Sequence, residues 1–360
     1  MNILIIKLRN IGDVLLTTPV IENLKKFYPS SNIDIVLNTG TEEIVSLNPN
    51  INKIYIYRRD IIKQQNFFRR ILSEFDFFLD CRKKHYDLVI NLTEGDRGGI
   101  VTKFARPKIS IGYKSKNRLL SNVFDKNIPK QESRHTIEAN LDALRLLDIP
   151  ITSKKVKIFT SKKDDEIIGN RLNGIERFIH IHPVSRWLFK CISDATMAAI
   201  IDFIELEMGI KVVLTSAPVK KEIEKIESII NHTNSIPVNL SGELTLKQTS
   251  ALNKKAIFFI GVDTAIMHIS AANNTPVLAF FGPSGANHWG PWDNDLMNSG
   301  YEKVNGFQKM GKHRVISQER KCQPCGKDGC DGSKISQCLI ELDLELIKQN
   351  IREMIFDEVS

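Results

Sequence analysis

The sequence has no apolar stretch close to the roughly 20 residues that a membrane-spanning helix needs. Low-complexity tracts and internal repeats with matching motifs are also missing. The apolar run at 3–6 is too short, and too soon followed by Asp13, to be a signal peptide. These absences argue against membrane-spanning and repeat architectures, and they predict a cytoplasmic protein.

Acidic residues are scarce in the first half of the chain. Residues 1–163 hold 29 Lys and Arg against 17 Asp and Glu, a charge of +12, whereas residues 164–360 hold 21 against 25, a charge of −4. The basic half predicts an anionic partner such as a phosphorylated substrate, a lipid surface or nucleic acid, unless it is only a solvated lysine-rich surface. No helix-turn-helix, paired-histidine zinc finger or RNA-binding aromatic motif accompanies it, so we expect no nucleic acid.

The chain of 360 residues, 42% hydrophobic and 26% charged, has the composition of a folded protein and the length of two ordinary domains. Apolar runs of strand length alternate with helix-length amphipathic segments, for example at 14–27 and 42–47. This alternation predicts an α/β fold with two Rossmann-like halves, 1–163 and 164–338, each with a parallel sheet. Apolar residues at helical spacing predict a terminal helix within 339–360.

The segment KLRNIGDVLLTTP at 7–19 directly follows the first predicted strand, NILII. Open α/β proteins bind ligands beyond the carboxyl ends of their parallel strands, so we expect chemistry on this turn. Asp13 is placed either to act as a general base or to be the N-cap of a helix that begins at Val14. The residues alone leave both interpretations open.

Three strand-end loops of the second half carry groups suited to a diphosphate. In HPVSRWLFK, Ser185, Arg186 and Lys190 follow the strand FIHIH, although two cations on a surface loop are as ordinary a feature. In GVDTAIMHISAANNTP, a helix that begins near Thr264 offers N–H groups to an anion, and His268 lies one turn further, on the same face or in the core. The third loop, FFGPSGANHWGPW, is rich in glycine and proline.

The segments KLRNIGDVLLTTPV, HPVSRWLFK and GVDTAIMHISAANNTPVLAFFGPS, in this order, resemble the family 9 glycosyltransferases, the ADP-heptose:lipopolysaccharide heptosyltransferases. The resemblance spans nearly the whole chain. NLTEGDRGG at 91–99 and CQPCGKDGCDGSKISQCL at 322–339 are most similar to the heptosyltransferase III branch.

The resemblance implies a GT-B fold, in which two Rossmann-like domains face each other across a cleft. The acceptor would bind to the first domain and the nucleotide sugar to the second, and the last helix would return to the first. The implied reaction is an inverting, metal-independent transfer of heptose from ADP-L-glycero-D-manno-heptose to an inner-core heptose of lipopolysaccharide, at the inner face of the inner membrane. No cofactor would be required. Asp13 matches the family's proposed base, and Gly12 beside it would let the backbone turn tightly.

The resemblance and the charge pattern together give two sets of binding residues. The donor set is Ser185, Arg186, Lys190, Ser216, Asp263, Thr264, Ala265 and His268. The acceptor set is Arg9, Gly12, Arg58, Arg59, Lys63, Glu94, Arg97, Lys114, Lys116 and Arg118, with Arg69 and Arg70 as further cations. Pro218 stands about where relatives often hold the ribose with a carboxylate, which leaves Ser216, the backbone or Glu222 for that role.

Two other functions stay open at this point. One is a sugar-nucleotide-binding or regulatory protein on the same fold, which the loss of the base or of the phosphate-binding groups would favour. The other is a family 9 enzyme with a different acceptor or nucleotide sugar.

Four cysteines, Cys322, Cys325, Cys330 and Cys338, lie close together in a glycine-rich segment with the spacing C-x2-C-x4-C-x7-C. In a cytoplasmic chain this pattern is compatible with a structural Zn²⁺ site sooner than with disulfides. A second C-x2-C pair is missing, so reduced packing thiols are the favoured interpretation. Cys81 and Cys191 read as ordinary buried residues.

Overall fold

A computed structural model describes the protein at residues 1–57, 77–130 and 134–359. The chain forms two compact units, Met1–Phe159 and Thr160–Ser360, each built on a mainly parallel sheet. The predicted α/β class with two Rossmann-like halves is therefore confirmed.

Unit 1 has, within its described residues, a parallel sheet of six strands in the order β3-β2-β1-β4-β5-β6. The strands are β1 (Asn2–Lys7), β2 (Asn32–Asn38), β3 (Lys53–Tyr57), β4 (Leu88–Asn91), β5 (Ile109–Gly112) and β6 (Lys126–Asn127). Every residue of β1 after Asn2 is buried, as expected for a central strand covered on both faces. This burial explains the unbroken apolar run NILII.

The helices of unit 1 are α1 (Ile11–Leu15), α2 (Thr18–Phe27), α3 (Asp96–Ala105) and α4 (Thr136–Arg145), with further helical residues at 77–83. The prediction of one helix over 14–27 is wrong, because two separate helices cover these residues and the helix is interrupted between Leu15 and Thr18. Pro19 explains the break, since it has no N–H to donate and its ring would clash with the carbonyl four residues earlier. The helix expected over 42–47 is a single 3₁₀ turn, Glu42–Val45.

Unit 2 repeats the same strand order with one addition, β12-β13-β11-β10-β7-β8-β9. Its strands are β7 (Phe178–His182), β8 (Lys211–Leu214), β9 (Val238–Asn239), β10 (Phe259–Val262), β11 (Val277–Phe280), β12 (Gln308–Met310) and β13 (His313–Ile316). β12 pairs antiparallel with β13, which the βα alternation does not predict. The two are joined by a tight turn in which Gly311 has a φ of 55°, a conformation that glycine adopts readily.

The α-helices of unit 2 are α5 (Lys162–Leu172), α6 (Asp194–Asp202), α7 (Lys220–Ile230), α8 (Leu246–Asn253), α9 (Ala265–Ala272), α10 (Ala286–Trp289), α11 (Gln337–Ile340) and α12 (Leu344–Val359). The terminal helix α12 places Ile347 and Ile351 in one core cluster with Ile200. The buried Arg314 of β13 donates to Asn350 on the same helix at 3.0 Å. These contacts lie within unit 2, and the return of the helix to the first domain stays a prediction.

In each sheet the strand order reverses at one place, where strands that come later in the chain lie on the other side of the first strand. In unit 1 this place is between β1 and β4, and in unit 2 it is between β7 and β10. In open α/β sheets the loops that leave the carboxyl ends of such a strand pair diverge and leave a crevice for ligand. Asp13 follows β1, and Asp263 follows β10, so two of the predicted site residues lie at these two places.

Candidate functional site

The loop after β1 places Asp13 beside a buried lysine. Asp13 is the third residue of α1, and its Oδ2 accepts a hydrogen bond from the Asn10 N–H at 3.3 Å. Its Oδ1 lies 3.9 Å from Nζ of Lys7, the last residue of β1. The N-cap of α1 is Asn10, so the alternative in which Asp13 is an N-cap is wrong. Asp13 nevertheless has a local structural contact in addition to any chemical role.

Lys7 was not among the residues chosen from the sequence. Its Nζ donates to the Leu92 carbonyl at 3.0 Å and to Asn140 Oδ1 at 3.2 Å. Burial, opposed in part by the charge of Asp13, lowers the pKa of Lys7 to about 8. A lysine at the end of an apolar strand could have been found as a buried charge that needs a partner.

The two neighbours of Asp13 in the acceptor set differ in exposure. Arg9 is exposed, and its carbonyl accepts from Asn38 Nδ2 at 3.3 Å. Gly12 is buried inside α1, where its carbonyl accepts from the Leu16 N–H at 3.0 Å. Gly12 therefore lies in a helical turn and does not make the tight turn that the sequence suggested.

The segment NLTEGDRGG forms the other side of the same crevice. Thr93 Oγ1 accepts from the Leu8 N–H at 2.7 Å, which fixes the end of β4 to the end of β1. Asp96, the first residue of α3, accepts from Ser115 Oγ at 2.6 Å and so ties this loop to the GYKSKNR loop. A Cβ on Gly98 would meet the Asn91 side chain at 2.1 Å, so only glycine fits there.

Only some of the predicted acceptor-binding residues lie in the described part of the chain. Arg58, Arg59, Lys63, Arg69 and Arg70 lie outside the described residues. The others are placed as follows: Glu94 is 3.6 Å from Lys130, Arg97 is half-buried on α3, and Lys114, Lys116 and Arg118 are exposed.

Arg118 lines a cavity of about 460 Å³ together with Lys103 and Arg106, near the residues that lead into β5. Because Arg106 precedes β5, this cavity lies at the amino ends of the strands, whereas Asp13 lies at their carboxyl ends.

Three strand-end loops of unit 2 meet at Asp263. Lys190 Nζ lies 2.6 Å from Asp263 Oδ2, and Ser284 Oγ donates to the same oxygen at 2.5 Å. These residues follow β7, β10 and β11, which are neighbours in the sheet. The structure thus brings Lys190 and Asp263 together as the sequence predicts, and it adds Ser284 from the glycine-rich loop.

The remaining donor residues of these loops have different surroundings. Ser185 is buried, and its Oγ accepts a hydrogen bond from the Trp187 N–H at 3.2 Å. Arg186 is exposed, and its guanidinium lies 5.3 Å from the centroid of the Trp187 ring.

Thr264 is the N-cap of α9, and Ala265 is its first residue. Thr264 Oγ1 is buried and has no hydrogen-bond partner among the described residues. His268 is buried on α9.

Ser216 and Glu222, the two side chains predicted to replace a ribose-binding carboxylate, both contact Ala217. Ser216 Oγ donates to the Ala217 carbonyl at 3.0 Å, and Glu222 Oε2 accepts from the Ala217 N–H at 3.1 Å. Both side chains are buried and hold the same loop. Glu222 therefore already has a backbone partner, and Ser216 has a contact of its own.

A chain of buried hydrogen bonds lies beneath the donor loops, and sequence reasoning did not find it. His180 Nδ1 is 2.5 Å from Asn253 Oδ1, His180 Nε2 is 2.7 Å from Thr215 Oγ1, and Thr215 Oγ1 is 2.9 Å from His182 Nδ1. Burial lowers the pKa of His180 to about 4 and that of His182 to about 3, so both rings are neutral near pH 7. The alternation of His180 and His182 along β7 was the available signal, because it places both rings on one face.

The four clustered cysteines are not arranged as a metal site. Within the described ranges, no group of three or more His, Cys, Asp or Glu side chains is placed to hold a metal ion. Cys322 and Cys325 are exposed, and Cys338 is buried. The structure therefore gives no support to the zinc alternative.

No helix in the described part of the chain is both long and apolar enough to cross a membrane.

Residues 76–319 match the family model described as "Glycosyltransferase family 9 (heptosyltransferase)". Among curated relatives, "Lipopolysaccharide heptosyltransferase 3" of Escherichia coli is 33% identical over 292 residues, 79% of this chain and 85% of the relative. The resemblance drawn from the motifs is thereby confirmed.

Solved structures share the fold. The glycosyl transferase family 9 protein of Veillonella parvula superposes with a TM-score of 0.81 at 19% identity, covering 99% of this chain and 97% of the other. The E. coli heptosyltransferase WaaC, solved with ADP, has a TM-score of 0.74 at 17% identity, with 98% and 100% covered. At these identities the likeness establishes the fold alone.

Proposed function

The chain belongs to glycosyltransferase family 9, the heptosyltransferase family, and from this we propose that it transfers heptose from ADP-L-glycero-D-manno-heptose to an inner-core heptose of lipopolysaccharide. The names of its relatives support lipopolysaccharide as the acceptor class. The observation that carries the proposal is the position of Asp13, a partly exposed carboxylate at the carboxyl end of β1 where the sheet changes direction. A protein that only binds the nucleotide sugar would use the cations in unit 2 but would not need a carboxylate at this position for proton transfer.

The proposed reaction inverts the anomeric centre and needs no metal. The acceptor hydroxyl attacks the anomeric carbon as its O–H bond breaks, and Asp13 takes the proton. The bond from the anomeric carbon to the diphosphate oxygen breaks at the same time, and its electron pair leaves with ADP. Asp13 then releases the proton to water, which restores the carboxylate.

The donor residues of unit 2 would stabilise the leaving group. Negative charge grows on the diphosphate as the bond breaks, so a fixed cation and N–H donors beside it lower the barrier. Lys190 supplies the cation, and the first N–H groups of α9 after Thr264 supply donors at the positive end of a helix. Asp263 holds Lys190 before the donor arrives.

The acceptor would bind to unit 1 as an anionic, lipid-linked oligosaccharide. The net charge of +12 on residues 1–163 suits such a ligand and also suits attachment to the inner face of the inner membrane. This peripheral location is part of the proposal.

Mass spectrometry of truncated core lipopolysaccharide, incubated with the protein and ADP-heptose, tests the function. We expect a mass gain of one heptose on an acceptor that already carries the inner-core heptoses. Transfer from another nucleotide sugar, or to another acceptor, would replace this proposal by a different family 9 activity. Absence of any transfer, with ADP still bound, would favour a sugar-nucleotide-binding protein.

A further inference from the structure

The ammonium group of Lys7 is held in place from three sides. Lys7 is 4% exposed, and its Nζ donates to the carbonyl of Leu92, which follows β4, and to Asn140 Oδ1 on α4. Its positive charge also lies 3.9 Å from Asp13 Oδ1, which is ion-pair distance but too long for a hydrogen bond. Leu92 and Asn140 both present acceptors, which means that Lys7 is a donor in each contact.

The charges around Lys7 make Asp13 its main counter-ion. Burial disfavours the ammonium form, and the Arg9 charge on the same loop opposes it as well. The carboxylate of Asp13 and, from the loop after β4, that of Glu94 favour it. Within the described residues, Asp13 is the acid within ion-pair distance of Nζ. The Asn140 amide on α4 carries no charge.

We propose that Lys7 is a positioning residue for the base. Its ammonium, anchored by Leu92 and Asn140, fixes the Asp13 carboxylate in its reactive orientation and supplies its counter-charge. Lys7 keeps its three protons throughout the transfer step and neither gives nor takes one. This inference rests on the proposed function, because it concerns Asp13 as the base.

A purely structural role for Lys7 makes a different prediction. If Lys7 only satisfied the Leu92 and Asn140 oxygens, the neutral amine with two N–H groups would serve as well as the ammonium. Transfer would then not depend on the charge of Lys7. The protonation state of Lys7 therefore separates the two roles.

NMR titration of the free protein, with ¹³Cε/¹⁵Nζ-labelled lysine, tests the pair without any transfer reaction. The Lys7 signal is assigned by its loss in Lys7→Arg. We expect Lys7 to titrate near pH 8 in the native protein and at lower pH in Asp13→Asn, because the attraction that favours the ammonium is removed. A Lys7 titration that Asp13→Asn leaves unchanged would overturn the proposed pairing.

The pH dependence of kcat tests the role in transfer. Lys7 loses its proton as pH rises through about 8, so kcat should fall above that pH. Lys7→Arg keeps a positive charge at every accessible pH and should remove this fall, whereas Lys7→Met should show a kcat lower by about tenfold or more at all pH values. ADP affinity, measured by calorimetry, should be the same in all three proteins. A wild-type profile without a fall near pH 8, or the same fall in Lys7→Arg, would overturn the proposal.

A second variant guards against misfolding of the Lys7 variants. Asn140→Asp keeps an acceptor next to Nζ and adds a negative charge, which should raise the pKa of Lys7 and move the fall in kcat to higher pH. Because it also removes the Nδ2 donor to the Leu16 carbonyl, circular dichroism and ADP affinity first establish that this variant is folded. A fall that stays in place would count against the role of Lys7 charge. If wild-type protein transfers no sugar at all, the proposed function fails, and the NMR titration still decides whether Lys7 and Asp13 are paired.

Discussion

Lys190 and Asp263 form an ion pair between two neighbouring strand-end loops of unit 2, with Nζ 2.6 Å from Oδ2. Ser284 donates to the same carboxylate oxygen from a third loop. Asp263 therefore compensates the charge of Lys190 and connects the loops that follow β7, β10 and β11. A diphosphate that binds here finds the cation already in place, so little side-chain ordering is left for the binding step.

Lys190→Ala should weaken ADP binding by roughly 10-fold to 100-fold and lower turnover, because a charge-assisted contact to phosphate is lost. Thr264→Ala should weaken it less, since only a hydroxyl is removed. Lys220→Ala is the matched control, because Lys220 carries the same charge on an exposed side chain that pairs with Glu224. Isothermal titration calorimetry that shows unchanged ADP affinity in both Lys190→Ala and Thr264→Ala would rule out this donor site.

Asp13→Asn should lower transfer by roughly 10²-fold or more, the usual cost of removing a positioned base, while ADP affinity stays unchanged. Asparagine retains an oxygen that can accept from the Asn10 N–H, so α1 should keep its first turn. Asp80→Asn, an exposed acid at 77–83, controls for the change in charge. Near-normal turnover in Asp13→Asn would remove Asp13 from the mechanism.

The sequence predicted strands such as β1 and β7 and the loop residues that follow them, because both depend on local patterns. A run such as NILII predicts a buried parallel strand, and Asp13, Lys190 and Asp263 all lie on the loops or helix starts that directly follow a strand. The βα alternation was sufficient for the fold class. The exact ends of the helices were harder to predict, because they depend on single residues such as Pro19.

The missed contacts depend on which helix packs against which strand. Lys7 meets Asn140 across 133 residues of sequence, and His180 meets Asn253 across 73. No local pattern encodes which helix packs against which strand, so these partners become visible only after the helices are packed on the sheet. The cysteine spacing illustrates the reverse case, in which four cysteines close together in sequence do not form, within the described residues, a group placed to hold a metal ion.

Unit 2 should lose stability in mild acid because several of its buried histidines, His180, His182 and His313, have pKa values lowered by burial. The pKa of His180 is lowered to about 4 and that of His182 to about 3, whereas each is near 6.5 in the unfolded chain. Below pH 6.5 the unfolded chain binds protons that the folded unit cannot, so the free energy of unfolding falls as pH decreases toward 4. The slope is about 1.4 kcal/mol per pH unit for each histidine.

Denaturant unfolding at pH 7.5 and pH 5 measures this effect. The three tryptophans, Trp187, Trp289 and Trp292, all lie in unit 2, so their fluorescence reports its unfolding. His182→Gln should reduce the pH dependence, and Thr215→Ser, which keeps the hydroxyl between the two rings, should leave it unchanged. An equal pH dependence in wild type and His182→Gln would contradict the assignment to this ring.

The cysteines should react at very different rates in the native protein. Cys322 and Cys325 are exposed and should be labelled quickly by a thiol reagent. Burial raises the pKa of Cys81 to about 12 and those of Cys191 and Cys338 to about 11, so these three should be labelled only after unfolding. Cys322→Ser should leave both stability and metal content unchanged. About one zinc per chain by elemental analysis, lost in Cys322→Ser, would restore the metal-site interpretation.

Arg58, Arg59 and Lys63 should attract the anionic acceptor electrostatically. The acceptor in this proposal is an anionic lipid-linked oligosaccharide, and a cation near such a surface contributes on the order of 1 kcal/mol, screened beyond about 8 Å at physiological salt. Replacing Arg58, Arg59 and Lys63 together by Gln should raise the acceptor KM by about tenfold or more at low salt and weaken binding to anionic vesicles. Both effects should shrink as salt is added, and donor affinity should stay the same.

A control that removes equal charge from another part of unit 1 decides whether position matters. Lys83 and Lys84 precede β4, and Lys103 lies near the end of α3, so all three lie toward the amino ends of the strands, away from Asp13. Replacing them by Gln lowers the net charge by the same amount. If both triple variants raise the acceptor KM equally, the effect comes from the total charge of unit 1, and the acceptor site is not at 58–63. If neither variant changes KM or vesicle binding, these cations form only a solvated surface, and the acceptor must be recognised elsewhere, since a contact with an anionic ligand cannot lose three charges without a change in affinity.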